Sequence, residues 1–186
     1  MKKILLIAVL IGAMLSVTAY VACVATPLLG KNIKGSGNIV TKTVPAPDFD
    51  AIEASRAVKV VISDKVSDIR IEADDNLIDL VVVRAVKGNL EATLDRKVNN
   101  IQNGNVTITV PANGKIRSLD ASSASKIVSE VTLKADTFSI EASSAARIET
   151  AVEATSCTIE TSSASKVEAS VEAGSCSLDA SSASKI

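Results

Sequence analysis

Four pairs of adjacent serines recur in the second half of the chain, and a basic residue follows each pair at a constant distance. A serine beside a lysine can act as a nucleophile with its base. The chain has no histidine, however, and the lysine or arginine recurs in every copy. Small hydroxyl side chains also hydrogen-bond the backbone of turns. We therefore interpret the pairs as corners of a repeated fold and predict no catalytic residue. The pairs are Ser122 with Ser123, Ser143 with Ser144, Ser162 with Ser163, and Ser181 with Ser182.

Two cysteines, Cys157 and Cys176, occupy the repeat position that Phe138 holds one copy earlier. An aromatic side chain at this position indicates the interior of the fold. Stacked strands would bring the two Cα atoms to about 4.8 Å, within the disulfide range, but parallel side chains rarely have the required S–S dihedral. Buried free thiols are favoured over a disulfide. A metal site would need further ligands at this level, and none is evident, so we predict neither a metal nor a cofactor.

An acidic segment, Asp74-Asp75-Asn76 with Asp79 nearby, could offer oxygen ligands to calcium. It lacks the glycine and the downstream glutamate of an EF-hand loop. A solvated turn is the favoured interpretation.

The N-terminus has the pattern of a secretory signal. Lys2 and Lys3 precede an uncharged run over residues 4–17, which is typical of an export signal. Residues 20–23, with the sequence Tyr-Val-Ala-Cys, resemble a bacterial lipobox, although tyrosine stands where leucine is usual. Cys23 is therefore the candidate lipidation site, and it would attach the chain to the membrane through acyl groups.

Two other outcomes for this N-terminal signal segment remain open. The protein could be cleaved after Ala19, or the segment could stay as an uncleaved anchor, because no charge follows until Lys31 and about 20 apolar residues span a bilayer. With any of these outcomes we expect an exported protein of the cell envelope, in particular an outer-membrane or periplasmic lipoprotein.

The second half of the chain contains a nine-residue motif in four copies. The spacings between them are 21, 19 and 19 residues, too short for a pair of helices and suitable for one coil of a β-solenoid. Corners are expected at Ser143-Ser144 and at Thr155-Ser156, where small polar residues interrupt the alternation of apolar side chains. The copies are LDASSASKI from Leu119, IEASSAARI from Ile140, IETSSASKV from Ile159 and LDASSASKI from Leu178.

Stacking of the copies predicts rows of equivalent residues along the axis of the fold. Two rows are aliphatic and should point inward. Two rows are charged and should face water, because like charges at this spacing repel strongly in a dry interior. The inward rows are Leu119, Ile140, Ile159 and Leu178, and Ile127, Ile148, Val167 and Ile186; the outward rows are Asp120, Glu141, Glu160 and Asp179, and Lys126, Arg147, Lys166 and Lys185.

The first half of the chain contains a series of segments that resembles the head GIN domain family, proposed autotransporter adhesins with a domain of unknown function in Bacteroidetes. The resemblance runs from about Gly35 to the end. It implies a parallel β-helix-like fold at the cell envelope and an adhesive role, and it supplies no catalytic residue. The segments are GSGNI from Gly35, FDAI from Phe49, VKVVI from Val58, IRIEADDNL from Ile69 and GNL from Gly88.

These observations predict an all-β protein: a right-handed parallel β-helix, or solenoid, with coils of about 19 residues, preceded by a signal helix. The expected parts are a leader over residues 1–22, a tether over residues 23–34 and a solenoid over residues 35–186. Irregular coils occupy residues 35–118 and regular repeats residues 119–186. The last copy stops at Ile186 without a capping segment, which suggests truncation or an open edge through which copies self-associate.

Composition excludes nucleic-acid binding and allows the other functions to be ranked. A formal net charge of −1 leaves no basic surface for nucleic acid. The leading expectation is a non-catalytic binding or adhesin-like module for a surface glycan or protein. The alternatives are a β-helix enzyme acting on polysaccharides, which would need paired acids and aromatic residues, and a purely structural, self-assembling envelope protein. Phe49, Phe138 and Tyr20 are the only aromatic residues.

Overall fold

The computed structural model describes residues 31–186, which form thirteen strands and a short 3-10 helix at Ile78–Leu80. The predicted signal helix and the lipobox with Cys23 lie outside the described residues. No helix within residues 31–186 is long and apolar enough to cross a membrane. The strands are β1 (Lys31–Lys34), β2 (Ile39–Val44), β3 (Ala51–Ala54), β4 (Lys59–Ser63), β5 (Ile69–Asp74), β6 (Val81–Val86), β7 (Asn89–Leu94), β8 (Val98–Gln102), β9 (Val106–Pro111), β10 (Ser118–Ala121), β11 (Lys126–Ala142), β12 (Arg147–Thr161) and β13 (Lys166–Ala180).

Eleven of these strands form one sheet that curls on itself. Nine follow the order β2-β5-β9-β4-β11-β10-β3-β7-β6, β12 pairs with β11, and β13 pairs with β12. The long strand β11 produces the curl, since its residues 126–129 pair with β4 while its residues 139–142 pair with β10. The sheet thus passes around the core instead of lying on one side of it. Strands β1 and β8 form a separate parallel pair, and β1 lies in the segment predicted as a tether.

The prediction of an all-β protein is confirmed, but the prediction of a right-handed parallel β-solenoid is wrong. The structure is a curled, half-barrel sheet of mixed strand orientation. Strand β2 pairs antiparallel with β5, β5 pairs antiparallel with β9, and β6 pairs antiparallel with β7. Of these three pairs, β6 and β7 are joined by a short turn. At Lys87-Gly88 both residues have positive φ, 53° and 85°, which is the geometry of a two-residue hairpin turn.

The predicted stacking of residues 19 apart is confirmed in the paired strands β11, β12 and β13. Ile140 pairs with Ile159 and Ile159 with Leu178 in parallel register. The 21-residue spacing has a local cause, because Val128 pairs with Glu149 and the next pair is Thr132 with Ala151. Strand β11 therefore bulges between Val128 and Thr132.

The apolar pattern of the first half predicts five strands, and the structure confirms each of them. The segments Val58–Ser63, Ile69–Ala73, Leu80–Val86, Leu90–Leu94 and Val106–Val110 correspond to β4, β5, β6, β7 and β9. The corner predicted at Thr155-Ser156 is wrong, since both residues lie inside β12. Small side chains in a continuous strand produced the same interruption of the apolar pattern as a turn.

The core consists of two aliphatic rows that face each other across the curl. The first runs from Leu90 through Ile52, Leu119 and Ile140 to Ile159, and each of these residues is at most 1% exposed. Phe49 and Phe138 are the largest side chains of the core and are 2% and 0% exposed. The second row contains Ile108, Val60, Ile127, Ile148 and Val167.

The corners between the two faces are built from pairs of residues in the left-handed backbone conformation. In one corner Ser144 and Ala145 have φ of 52° and 63°. This conformation costs a residue with a side chain roughly 1–2 kcal/mol. The Ala145 N–H donates to the carbonyl of Ser163 in the next corner at 3.0 Å, and such bonds join successive corners. The equivalent pairs are Arg56 with Ala57, Ser123 with Ala124, Ser163 with Ala164, and Ser182 with Ala183.

Candidate functional site

Six carboxylates lie side by side on the outer face of the curled sheet, one on each of six adjacent parallel strands. We call this set the acidic row. Neighbouring strands are about 4.8 Å apart, so the row is a regular line of negative charge. Four of its members were predicted from the repeats, and the structure adds Glu53 and Glu91. In spatial order the acidic row is Glu91, Glu53, Asp120, Glu141, Glu160 and Asp179.

A row of hydroxyl side chains runs parallel to the acidic row. Each hydroxyl residue follows its carboxylate by two positions in the chain, and all but Thr93 lie just beyond the end of a strand. The Ser143 N–H donates to the carbonyl of Ala121 at 2.9 Å, and the equivalent bond recurs on the neighbouring strands. Between the two rows lies a groove with a volume of about 330 Å³ and with Ala142 and Thr161 among its lining residues. We call it the acidic groove. The hydroxyl row is Thr93, Ser55, Ser122, Ser143, Ser162 and Ser181.

The negative charge of the acidic row is largely uncompensated. Glu91 pairs with Arg84 at 2.6 Å, and the amide of Asn89 donates to Glu53 at 2.8 Å. Among the ion pairs of residues 31–186, none involves the remaining four carboxylates. Burial, with the charges of Glu141 and Glu53 added, raises the pKa of Asp120 to about 6. The groove therefore favours any positive charge or hydrogen-bond donor that enters it.

The basic residues of the repeats form a second row, on the other face of the curl. Lys59, Lys126, Arg147 and Lys166 are paired in parallel register. Glutamates on neighbouring positions neutralise part of this row: Lys126 contacts Glu149 at 2.7 Å, and Lys166 contacts Glu168. Both charged rows face solvent as predicted. In the described chain one of the six carboxylates is in an ion pair, whereas two of the four basic residues are.

Asp74 connects separate segments of the chain through its buried carboxylate, and we call this arrangement the clasp. The prediction of a solvated turn is wrong for this residue. Its carboxylate is fully buried and accepts the N–H of Gly37 at 2.6 Å and that of Asn105 at 2.7 Å. These bonds join the segment before β2 to the turn before β9. Asp75 and Asp79 are exposed as predicted. Within the described residues no group of three or more histidine, cysteine or acidic side chains is arranged to hold a metal ion.

The glycine-rich segment at residues 35–38 completes this clasp. A Cβ on Gly35 would lie 2.6 Å from the carbonyl oxygen of Asn103 and 2.8 Å from Asp74 Oδ2. Asn76 donates its amide to the carbonyl of Lys34 at 2.9 Å, and Asn38 donates to the exposed Asp75 carboxylate at 2.9 Å. Hydrogen bonds from Ser36 and Asn38 lower the pKa of Asp75. The GSGNI segment, one of the five that carry the family resemblance, therefore has a structural role.

The two cysteines are neighbours in parallel register, and both are free thiols. Cys157 is buried, as predicted, and lies next to Phe138 in its row. Cys176 is exposed, so the prediction of a buried pair is wrong for this residue. Leu178 shows the same difference, because it is 60% exposed although its row neighbours are buried. Self-association through the edge of β13 stays a prediction.

Sequence reasoning missed two further copies of the repeat motif. IEASRAVKV starts at Ile52 and LEATLDRKV at Leu90. Both keep the aliphatic, acidic and small residues that begin each copy, and the Ser55 and Thr93 hydroxyls are 2.8 Å apart. These two copies lack the 19-residue spacing to the next copy, because long segments of chain separate them from their neighbours in the sheet.

A known protein family matches most of the chain. The family described as "Putative auto-transporter adhesin, head GIN domain" matches residues 48–186. The chain belongs to this family. The family resemblance drawn from the sequence is thus confirmed, and the acidic row lies entirely within the matched head GIN domain. No curated protein matches the sequence.

Solved structures share the fold of this head GIN domain. A "putative adhesin" from Parabacteroides merdae matches with a TM-score of 0.61 at 19% identity, over 74% of this chain and 58% of its own. A "putative lipid binding protein" from Parabacteroides distasonis matches with a TM-score of 0.64 at 16% identity, over 80% of this chain and 65% of its own.

A "putative adhesin" from the same species, Parabacteroides distasonis, gives a TM-score of 0.60 at 15% identity, over 81% of this chain and 69% of its own. At these identities the likeness concerns the fold alone. The chain spans 58%, 65% and 69% of the lengths of the three similar chains.

Proposed function

We propose that this protein is a non-catalytic, adhesin-like binding module of the cell envelope, and that the acidic groove is its ligand-binding surface. The observation that supports this most is the uncompensated line of carboxylates beside a line of hydroxyls. A regular spacing of about 4.8 Å suits an extended ligand that presents donors repeatedly. We propose that the ligand carries cationic groups or many N–H and O–H donors, as an amino-sugar polymer or a basic protein segment does.

Electrostatics support the acidic groove over the basic row as the binding surface. Lys126 and Lys166 already have glutamate partners, so a ligand would have to compete with these contacts. Glu141 and Glu160 have no such partner among the described residues. Exposed carboxylates steer a cationic ligand at low ionic strength and lose this effect as salt screens them.

A binding screen over glycans and matrix proteins, with the domain from residue 31 onward, tests the proposal. The variant Glu141→Gln with Glu160→Gln removes two charges from the acidic groove and should weaken binding by roughly tenfold or more. The control, Glu149→Gln with Glu168→Gln, removes the same charge from the other face and should bind normally. Equal effects of the two variants would contradict the groove assignment, and absence of any ligand would leave a structural role.

A glycoside hydrolase is the second candidate function, and one observation favours it. Asp120, with its pKa raised to about 6, lies beside Glu141 in the groove, and a protonated acid next to a carboxylate is the usual catalytic pair of such enzymes. The carboxylates repeat along the acidic row, whereas catalysis requires one pair of acids that differ in their protonation. Binding is therefore favoured over catalysis. Turnover on a polysaccharide panel that disappears in Asp120→Asn would reverse this ranking.

We also propose that the protein is attached to the envelope through Cys23. The support is the lipobox-like sequence of residues 20–23 together with the membership of an adhesin family. The variant Cys23→Ala should lose labelled-palmitate incorporation and move to the soluble fraction. Unchanged labelling would refute lipidation, and retention in the membrane without labelling would indicate an uncleaved anchor.

A further inference from the structure

Cys157 and Cys176 lie opposite each other on the adjacent parallel strands β12 and β13. Ser156 pairs with Ser175 and Thr158 with Ser177 on either side of them. Equivalent atoms of the two residues are therefore separated by the strand spacing, about 4.8 Å. The two thiols lie on the same face of the sheet, because directly paired residues of adjacent strands share a face.

This spacing does not suit a disulfide. A disulfide requires Cβ atoms about 3.5–4.5 Å apart and a dihedral near 90° across the sulfurs, whereas stacked side chains run parallel. The spacing does suit a bridging metal ion. Two collinear metal–sulfur bonds of about 2.3 Å each span about 4.6 Å, which is close to the distance between the strands.

We propose that Cys157 and Cys176 form a two-coordinate site for a soft metal cation. Thiolates select soft ions such as Cu(I), and Hg(II) and Ag(I) have the same preference. Zinc needs four ligands, and no third histidine, cysteine or carboxylate completes such a group in residues 31–186. The surroundings of Cys157 are apolar, with Phe138 in the same row, whereas Cys176 is exposed. A divalent ion on two thiolates is neutral, so Hg(II) suits this environment best.

Binding must displace the thiol protons. Each thiol loses one proton and forms one metal–sulfur bond, so one Hg²⁺ releases two H⁺ from the pair. Burial, together with the neighbouring Cys176, raises the pKa of Cys157 to about 11. Because metal binding releases protons, the affinity should increase as the pH rises.

Titration of the full chain carrying Cys23→Ala, which removes the third cysteine, tests the site. Hg²⁺ should bind one ion per chain with a thiolate-to-metal absorption band and the release of two protons, and X-ray absorption should find two sulfur atoms at about 2.3 Å. Zn²⁺ at the same concentration should not bind. Cys176 is exposed, so Cys176→Ser should fold, and it should lower the affinity by roughly 100-fold or more.

A matched control keeps two thiols and changes their geometry. The variant Cys176→Ser with Ser177→Cys moves the second thiol to the opposite face of β13 and should lose the tight 1:1 complex. Equal affinity in this control would overturn the proposal. One ion per two chains, with a dimer in size-exclusion chromatography, would also overturn it, because the exposed Cys176 thiols would then be bridging separate molecules.

Discussion

Asp74 and Asn105 hold each other through two hydrogen bonds of opposite direction. The Asp74 N–H donates to the carbonyl of Asn105 at 3.2 Å, and the Asn105 N–H donates to Asp74 Oδ2 at 2.7 Å. The other carboxylate oxygen accepts the N–H of Gly37. A single buried side chain therefore connects the start of β2, the end of β5 and the start of β9.

Replacement of Asp74 by alanine should lower the free energy of unfolding by about 3–5 kcal/mol. The change removes two charge-assisted hydrogen bonds and leaves two N–H groups without acceptors, each worth about 1.5–3 kcal/mol. Urea denaturation followed by circular dichroism measures this. Asp79→Ala, at an exposed acidic position nearby, is the control and should leave the midpoint almost unchanged. A similar loss in both variants would contradict the role of the clasp.

Gly35→Ala should destabilise the protein more than Gly37→Ala. At Gly35 a Cβ would lie 2.6 Å from backbone atoms of Asn103 and Gly104, so the backbone must move, at a cost of about 3 kcal/mol. At Gly37 no atom lies within 4 Å of the added Cβ, but φ is +82°, which costs about 1 kcal/mol. Thermal unfolding of the two variants compares them, and the reverse order would contradict the packing described.

Asp120→Asn should stabilise the protein at pH 8 and have little effect at pH 3.5. The pKa of Asp120 is about 6 in the folded protein and 3.8 as the ordinary value, so the folded state binds the proton more tightly. The resulting penalty is absent below pH 3.8, grows between pH 3.8 and 6, and is complete above pH 6.

Because Asp120 is partly exposed to solvent, we expect a gain of about 1–2 kcal/mol at pH 8. Denaturant unfolding across this pH range provides the measurement. Asp136→Asn removes an exposed carboxylate outside the acidic row and is the control. If both variants gained equally at pH 8, the general reduction of negative charge would explain the effect, and the specific role of the row would be refuted.

Ala145→Gly should raise the free energy of unfolding by about 0.5–1 kcal/mol. Ala145 has φ of 63°, a conformation that glycine adopts without the steric cost of a side chain. Ala146→Gly is the matched control, since Ala146 is buried and outside the left-handed region, and it should lose about 1 kcal/mol. Stabilisation in both variants, or in neither, would contradict the assignment of strain to the corner.

The sequence predicts the stacked rows of the second half because the motif returns after 19 residues. Ile140 and Ile159 therefore occupy the same position on neighbouring strands. The same reasoning fails for Glu53, whose parallel neighbours on β7 and β10 are Glu91 and Asp120. Here long segments of unequal length separate the paired strands in the sequence. No constant spacing therefore predicts which strands pair.

Other features follow from the three-dimensional arrangement alone. The antiparallel pairing of β2 with β5 depends on a contact between distant residues, Ile39 with Asp74, which the apolar pattern does not reveal. Likewise, an aspartate in a polar segment is usually solvated, and only the convergence of Gly37 and Asn105 makes burial of Asp74 favourable. The acidic groove was only partly predictable, because it also depends on contacts between residues that are distant in the sequence.

The bulge in β11 shows how this architecture can vary in length. Strand β11 uses four residue steps, from Val128 to Thr132, where β12 uses two, from Glu149 to Ala151. The Glu130 carboxylate accepts hydrogen bonds from Ser63 at 2.9 Å and Lys65 at 3.1 Å, which holds the additional segment against the neighbouring strand end.

An insertion of two residues preserves the alternation of side chains between the two faces, whereas an insertion of one would exchange the faces for the rest of the strand. Related chains can therefore gain an even number of residues at this bulge, and every side chain that follows in the strand keeps its orientation.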